Sequence, residues 1–364
     1  MGDTPLFARV IAEQHPLIDV RAPVEFLSGS LPGAVNLPIM GDEERRQVGV
    51  CYKEAGKEEA IALGRSLVSG EKRDKRVAGW VDVISADPQT MIYCARGGLR
   101  SHIAREWIKT HSGRQVELVE GGYKAFRRYL LDHLNPGWMK SSAIVIGGRT
   151  GVGKTILINR LKNSVDLEAL ANHRGSSFGN HLSGQPCDAD FENRLAAALI
   201  RHDCGNFRHL IVEDEGRHIG RRFLPVELVR FFATGELIVV EAPLEERVEI
   251  TYDEYVVAEQ ILYLKAFSTI DGLRRWCSAM ESGIDRIANK LGPSRHRRVK
   301  EMFSGACARQ EQTGDASTHK DWIEQLLRIY YDPMYDFQLK KDTRRVIFRG
   351  SLAEVEQYLK FRDS

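Results

Sequence analysis

The chain has 364 residues, of which 43% are hydrophobic and 28% are charged. This composition is typical of a folded globular protein and excludes a disordered or fibrous chain, and the length favours two domains over one. The 52 basic and 50 acidic residues nearly cancel, so a surface for nucleic acid has to come from local clusters of charge. No apolar run approaches the roughly 20 residues that span a bilayer, and we expect a cytoplasmic protein without a membrane partner.

The six cysteines are scattered, and none forms a Cys-x-x-Cys pair. The spacing therefore indicates neither a zinc site nor a disulfide framework, and we expect no resident metal at the cysteines. A free, nucleophilic thiol remains compatible with this pattern.

The first segment, residues 1–136, alternates short β-rich runs with helical stretches. Apolar runs at residues 17–20, 91–93 and 116–118 predict strands, and residues 101–110 predict a helix. This alternation is typical of a parallel sheet with helices on both faces. Turn residues at 135–142 then predict a domain boundary.

A cysteine follows the second of these strands, in the segment Met-Ile-Tyr-Cys-Ala-Arg-Gly-Gly-Leu-Arg-Ser at residues 91–101. Cys94 lies between a predicted strand and a predicted helix, where backbone N–H groups surround an anion and favour the thiolate. We expect Arg96 and Arg100 to strengthen both effects. The alternative is an inert, buried cysteine at the end of a strand.

Residues 17–38 carry the run Leu-Ile-Asp-Val-Arg-Ala-Pro-Val-Glu-Phe, which resembles the rhodanese signature. In that resemblance Asp19, Arg21 and Glu25 shape the fold rather than perform chemistry. Five residues separate Cys94 from Arg100, one more than in sulfur-transferring rhodaneses, and the loop is similar to those of tyrosine-phosphatase-like and arsenate-reductase-like members. Such a loop suits a tetrahedral oxyanion or a larger chalcogen.

The second segment, residues 141–364, opens with an apolar strand at residues 143–146 and the run Gly-Arg-Thr-Gly-Val-Gly-Lys-Thr. This run matches the P-loop pattern and precedes a helix predicted at residues 156–162. Backbone N–H groups of the loop would hold phosphate oxygens, Lys154 would reach the terminal phosphate, and Thr155 would ligate Mg²⁺ when that ion is present. The glycines of the pattern are Gly148, Gly151 and Gly153.

Further strands are predicted at residues 210–212 and 237–240, and the chain from Leu244 onward is predicted to be mainly helical. The fold class is therefore a P-loop NTPase-like α/β domain with a helical C-terminal part, following a rhodanese-like domain. Glu213, Asp214 and Glu215 end the strand at 210–212, where P-loop proteins keep an acid for the metal. Any of the three could serve, with Asp214 our choice for the site, and a solvated acidic turn is the alternative.

A second polar loop, His-Arg-Gly-Ser-Ser-Phe-Gly at residues 173–179, would let Arg174 and Ser176 contact phosphate, unless it only ends a helix. Arg297 and Arg298 belong to a basic run at residues 295–300 that could hold an RNA backbone; a solvated face is the alternative. Aromatic residues at 330–337 surround a predicted turn and could stack on bases, or pack in a core.

Together these motifs resemble those of the bacterial tRNA 2-selenouridine synthase family over essentially the whole chain. The resemblance implies exchange of sulfur for selenium at the wobble 2-thiouridine of the tRNA anticodon, with selenophosphate as donor and geranyl diphosphate consumed to form an S-geranylated intermediate. It also implies that Cys94 carries selenium as S-selanylcysteine, that Gly64 matters for this step unless it merely ends a helix, and that an enzyme supplies the selenophosphate. No tightly bound cofactor is implied.

The chemistry of that reaction favours the P-loop as the site of geranyl diphosphate, because a P-loop stabilises the negative charge of a departing diphosphate. Nucleotide or tRNA phosphate are the other ligands it could take. Two rival functions remain: a tRNA sulfurtransferase coupled to a nucleotide-using kinase-like domain, and a nucleotide-gated RNA-binding module. The sequence leaves open which tRNAs are read, the metal requirement and the oligomeric state.

Overall fold

The computed structural model describes residues 6–363, and the chain forms two compact units. The first unit contains the chain up to Trp138 together with Pro186–Cys204, and the second contains Met139–Gln185 and the chain from Gly205 onward. The first boundary falls inside the turn segment predicted at residues 135–142, where Pro136–Trp138 form a turn of 3₁₀ helix. Within residues 6–363, no helix combines the length and apolar character needed to cross a membrane.

The strands of the described residues are β1 (Leu17–Asp19), β2 (Ala34–Asn36), β3 (Met91–Tyr93), β4 (Glu117–Leu118), β5 (Ser142–Gly147), β6 (Ser164–Val165), β7 (His209–Glu213), β8 (His218–Ile219), β9 (Arg222–Phe223), β10 (Glu236–Val240) and β11 (Val346–Gly350). The α-helices are α1 (Leu6–Ala12), α2 (Pro23–Leu27), α3 (Asp42–Glu54), α4 (Lys57–Leu67), α5 (Gly70–Ala86), α6 (Leu99–Ser112), α7 (Gly122–Asp132), α8 (Lys154–Ile158), α9 (Leu167–Ala171), α10 (Asp188–Cys204), α11 (Val226–Ala233), α12 (Leu244–Tyr252), α13 (Glu259–Ala266), α14 (Thr269–Arg286), α15 (Ala288–Leu291), α16 (Pro293–Thr313), α17 (His319–Leu326), α18 (Asp332–Lys341) and α19 (Leu352–Asp363).

The first unit is built on a parallel sheet with the strand order β2-β1-β3-β4. Every side chain of the two central strands, β1 and β3, is buried, as expected for parallel strands that helices cover. Trp80 of α5 and Ile108 of α6 pack in the same apolar cluster as Ile18 and Ile92. The predicted parallel α/β architecture is confirmed.

An ion pair is buried at the end of β1. The Arg21 guanidinium lies 2.6 Å from the Asp19 carboxylate and also donates a hydrogen bond to the carbonyl of Gly29 at 2.7 Å. The same guanidinium stacks over the Tyr123 ring, 4.0 Å from its centroid. Because each buried charge has its partner, the pair fixes the chain after β1 without leaving an isolated charge in the core.

Helix α10 belongs to the first unit, although the sequence places it within the second predicted segment. The Ser30 N–H donates to the Asp190 carboxylate at 2.7 Å, and the Asn193 amide donates to the Ser30 carbonyl at 2.6 Å. Arg127 of α7 pairs with Glu192 at 2.6 Å. Hydrophobic periodicity predicts that a helix has a buried face but does not identify what covers it, so this packing could not be predicted.

The second unit is built on a parallel sheet with the order β11-β10-β5-β7-β6, and β8 and β9 form a separate antiparallel pair. Ile144, Ile211 and Ile238 form its buried centre. The strands predicted at residues 143–146, 210–212 and 237–240 are confirmed. The edge strand β11 was not predicted, because arginines flank its short apolar run Val-Ile-Phe.

Helices α12 to α17 share a second apolar core, which includes Trp276, Phe303 and Trp322.

Two expectations for the second unit were wrong. Helix α8 ends at Ile158, before the predicted end at residue 162, since the chain turns there toward β6. The turn predicted at residues 330–337 is helical, because Pro333 occupies the first turn of α18, where the missing N–H has no role.

Candidate active sites in the two units

Cys94 follows β3 directly and begins the loop that leads into α6. Its side chain is buried, and the Gly98 N–H donates a hydrogen bond to the sulfur at 3.3 Å. The Ser101 hydroxyl also lies 3.3 Å from the sulfur. The loop therefore curls around the thiol and presents polar hydrogens to it.

These contacts change the acidity of the thiol. Burial alone would raise the pKa of Cys94, but hydrogen bonds from the Ser101 hydroxyl and from the backbone N–H groups of Arg96, Ser101 and Gly98 outweigh it and lower the pKa below its usual value. Hydrogen bonds to a charged form favour that form. The loop is thus suited to hold a thiolate, as the sequence predicts.

Two glycines allow the Cys94 loop to close on the start of α7. Gly122 has a φ of +60°, and a Cβ there would lie 2.2 Å from the Cys94 carbonyl oxygen. Gly97, with a φ of +62°, would place a Cβ 2.9 Å from the backbone nitrogen of Gly121. The N–H of Tyr123 donates to the Cys94 carbonyl at 2.9 Å. This backbone packing holds the loop in one conformation.

The two arginines of the loop have different surroundings. Arg96 is exposed and offers its backbone N–H to the thiol. The guanidinium of Arg100 forms two hydrogen bonds with the Glu25 carboxylate, at 2.6 and 3.1 Å. Arg45 also pairs with Glu25, at 3.0 Å. Glu25 therefore joins Arg100 of α6 to Arg45 of α3. The sequence did not indicate this pairing for Arg100.

Gly64 lies in the last turn of α4 and lines a cavity of about 850 Å³ in the first unit. A Cβ at this position would make only ordinary contact with Val48, at 3.6 Å. The glycine is therefore not required by its immediate neighbours, and a larger side chain would extend along the cavity wall.

In the second unit, the P-loop joins β5 to α8 and opens onto a pocket of about 280 Å³. The predicted phosphate-binding residues Gly148, Gly151, Gly153, Lys154 and Thr155 all line it. Gly151 and Gly153 have φ angles of +81° and +84°, which favour glycine. The Lys154 ammonium donates to the Gly148 carbonyl at 3.0 Å. The structure thus brings the whole predicted motif together.

A buried arginine supports the P-loop from behind. Arg247 of α12 is 2% exposed, and it donates to the Thr150 carbonyl at 2.8 Å. Two further hydrogen bonds, at 3.0 and 2.5 Å, join it to the carboxylate of Asp332. Neither residue was singled out in the sequence, because the two lie 85 positions apart and match no local pattern.

Three glutamates converge beside Lys154. Oxygens of Glu168, Glu213 and Glu215 all lie within 4.8 Å of one another. Burial, followed by the neighbouring Glu168 and Asp166 carboxylates, raises the pKa of Glu213 to about 8. Burial and mutual repulsion also raise the pKa values of Glu168 and Glu215. Buried carboxyl groups that share a space cannot all ionise unless a cation is present.

This cluster has the chemistry of a divalent metal site. Both carboxylate oxygens of Glu213 are buried without a hydrogen-bond partner among the described residues. Carboxylate oxygens suit Mg²⁺, as does the Thr155 hydroxyl that lines the same pocket. The sequence correctly placed an acid at the end of β7, but Glu168, on α9, was missed because it is distant in the chain.

Asp214, our choice from the sequence, also lines the pocket but has a partner of its own. The Arg344 guanidinium donates to its carboxylate at 2.7 Å. Arg174 lines the same pocket and pairs with the buried Glu259 at 2.6 Å. Ser176 lies 2.9 Å from the Tyr255 hydroxyl. Arg174 therefore lines the pocket while its guanidinium is paired with Glu259.

The predicted RNA-binding residues lie elsewhere in the second unit. Arg297 and Arg298 are exposed in the first two turns of α16, where the described residues show no ion pair to either. Among the aromatic residues at 330–337, Tyr330 and Tyr331 are buried in the helical core, whereas Phe337 is 58% exposed.

Comparison with known proteins gives two family matches along the chain. Residues 6–129 match the rhodanese-like domain, and residues 141–364 match the "tRNA 2-selenouridine synthase AAA domain". A tRNA 2-selenouridine synthase of Sulfurovum sp. (strain NBC37-1) is 46% identical over 354 residues, covering 97% of both chains. One from Hydrogenovibrio crunogenus is 45% identical over 358 residues, again covering 97% of each. One from Bordetella petrii is 41% identical and covers 99% of this chain and 96% of its own.

Proposed function

Because the chain belongs to the tRNA 2-selenouridine synthase family, we propose that it replaces sulfur by selenium at 2-thiouridine in the wobble position of tRNA. The observation that supports this most directly is that the chain contains both a cysteine loop that favours a thiolate and a complete P-loop that lines a pocket. We place the reaction in the cytoplasm, with selenophosphate supplied by a separate enzyme.

The proposed reaction has two steps that balance without a redox partner. First, the thiouridine sulfur forms a bond to C1 of geranyl diphosphate, diphosphate leaves, and the base loses its N3 proton. Second, selenium from selenophosphate bonds to C2, the C2–S bond breaks, geranylthiol leaves, N3 regains a proton, and water takes the phosphoryl group. Selenium enters at the oxidation level that it has in selenophosphate.

The two steps fall to the two units. The Cys94 loop serves selenium transfer. Its backbone N–H groups point at the Cys94 sulfur and stabilise negative charge on a sulfur or selenium atom there. The P-loop serves geranylation, since Lys154 and the loop N–H groups stabilise the diphosphate as it departs. Prior alkylation makes sulfur a better leaving group from C2, which explains why the geranyl step comes first.

Glu168, Glu213, Glu215 and Thr155 would hold Mg²⁺ in the P-loop pocket. When bound there, the ion neutralises charge that develops on diphosphate oxygens. Arg247 and Asp332 keep the Thr150 carbonyl, and with it the loop, in place.

We propose that tRNA contacts α16 through Arg297 and Arg298. Both guanidinium groups are exposed, and the described residues show no ion pair to either. They are therefore available to an external anion, and the RNA backbone supplies one.

The test is mass spectrometry of nucleosides from tRNA incubated with the protein, selenophosphate and geranyl diphosphate. We expect 2-selenouridine with both substrates, and S-geranyl-2-thiouridine when selenophosphate is omitted. Direct selenation of 2-thiouridine without geranyl diphosphate would refute the two-step route.

One observation favours a second function, a tRNA sulfurtransferase coupled to nucleotide use. Glu213 ends β7 next to the P-loop, where P-loop NTPases keep a metal-side acid. Steady hydrolysis of ATP or GTP, together with sulfur incorporation, would favour that function over ours.

A further inference from the structure

The first unit contains a large cavity to which the two-step reaction above assigns no ligand. It measures about 850 Å³, within the range of roughly 300–1,000 Å³ typical of small-molecule sites. Helices α3, α4 and α6 form its walls, with Val48, Ile61, Ile103 and Trp107 among the apolar side chains that face it. The cavity is therefore suited to a hydrocarbon group.

The cavity borders the helix that carries the cysteine loop. Leu99 and Arg100 line it, and they directly follow Gly98, whose N–H is 3.3 Å from the Cys94 sulfur. Leu99 is 47% exposed. The cavity wall therefore includes an exposed apolar side chain only five residues after the cysteine.

The edge of the cavity is positively charged. Lys53, Lys57 and Arg65 line it and are exposed, and the described residues show no ion pair to any of them. An apolar interior with a cationic edge fits a ligand that joins a hydrocarbon chain to phosphate groups. A prenyl group attached to a nucleotide of RNA is such a ligand.

The proposed reaction places that group here for a geometric reason. Selenium can reach C2 of the base only when C2 lies at Cys94, and the prenyl chain is bonded to the sulfur on the same carbon. The chain must therefore lie beside the Cys94 loop during selenium transfer. In water it would expose its whole apolar surface, whereas the neighbouring cavity would bury it.

We propose that this cavity binds the isoprenoid chain of the S-prenylated nucleoside while the C2–Se bond forms and the C2–S bond breaks. This inference rests on the proposed two-step function. The cavity then selects the substrate for selenium transfer, because a tRNA whose sulfur carries no chain cannot fill it, and the departing prenylthiol leaves from it.

The experiment compares selenation of two pre-alkylated tRNAs, one with the ten-carbon geranyl group and one with the five-carbon dimethylallyl group on sulfur. For the unmodified protein we expect kcat/KM to be at least about tenfold higher for the geranyl substrate, since each buried methylene adds to binding. Ala60 is buried in the cavity wall on α4, and Ala60→Trp fills the space. This variant should lose the preference and still use the dimethylallyl substrate.

A matched control lies two residues along the same helix. Ala62 is exposed and does not line the cavity, so Ala62→Trp should keep the preference for the geranyl substrate. An unchanged preference in Ala60→Trp would overturn the inference, as would a defect confined to geranylation of 2-thiouridine tRNA. If the unmodified protein selenates neither alkylated tRNA, the proposed function itself fails, whatever the variants do.

Discussion

Hydrogen bonds to the sulfur of Cys94 favour its thiolate, whereas burial raises the pKa of Cys187 and Cys204. We predict that Cys94→Ser lowers the rate of selenium transfer by at least about a thousandfold, because a serine hydroxyl stays neutral where the loop favours a thiolate. Geranylation should continue, so S-geranylated tRNA should accumulate in the nucleoside assay. Loss of both products would contradict the assignment of one step to each unit.

Cys204 provides the control within the same unit. The residue is exposed as a whole, but partial burial of its sulfur, followed by the charge of Asp203, raises its pKa. Cys204→Ser should therefore leave selenium transfer intact. Alkylation followed by peptide mass spectrometry should show Cys94 reacting at a lower pH than Cys204.

Lys154 is expected to act only in the geranyl step. We predict that Lys154→Ala slows geranylation by about a hundredfold or more, because the departing diphosphate loses a positive charge. Supplying pre-geranylated tRNA should restore formation of 2-selenouridine. Inorganic diphosphate should displace geranyl diphosphate and ATP should not; tight ATP binding with steady hydrolysis would refute this assignment.

Glu213 should make stability depend on pH. Its pKa rises from the ordinary 4.5 to about 8, so between these pH values the folded protein keeps a proton that the unfolded chain has lost. The free energy of unfolding should therefore fall as the pH rises through this range. Glu213→Gln should make that fall shallower in thermal denaturation without metal. In the unmodified protein, Mg²⁺ should restore stability at pH 8, and a variant that responds equally to Mg²⁺ would argue against the site.

At the scale of elements, helix α16 is predicted to guide tRNA. Arg297→Glu combined with Arg298→Glu should weaken tRNA binding and reduce the slope of log affinity against log salt by about 1 for each phosphate that the protein no longer neutralises. Arg274→Glu with Arg309→Glu makes the same change in charge at other exposed positions and should have a smaller effect. An affinity that does not vary with salt would exclude this role.

The elements that the sequence predicted well are those whose signal is local. The strand at residues 91–93 and the P-loop are contiguous runs, and both are where they were expected. Arg100 shows the limit of such inference. The local sequence places it near Cys94, but its carboxylate partner Glu25 lies 75 residues away in the chain. The partner depends on how α6 lies against α2, which carries Glu25, and spacing does not reveal this.

For the whole molecule, the chain order and the spatial order differ. Helix α10 lies in the second segment but completes the first unit, where Asn193 is fully buried against Ser30. The carboxylate cluster and the cavity beside Cys94 likewise depend on residues that meet only after folding. Motifs therefore located the cysteine loop and the P-loop, whereas the walls of each site required the structure.

Separate units for the two steps lead to a prediction about mixtures. Cys94→Ser retains the P-loop, and Lys154→Ala retains the cysteine loop, so each variant should perform the step that the other lacks. Because the intermediate is covalently part of the tRNA, it can leave one protein and bind another. Mixing the two variants with tRNA, selenophosphate and geranyl diphosphate should therefore yield 2-selenouridine, which nucleoside mass spectrometry would detect. A mixture that yields only S-geranylated tRNA would mean that the intermediate is not released, and that both steps must take place on one chain.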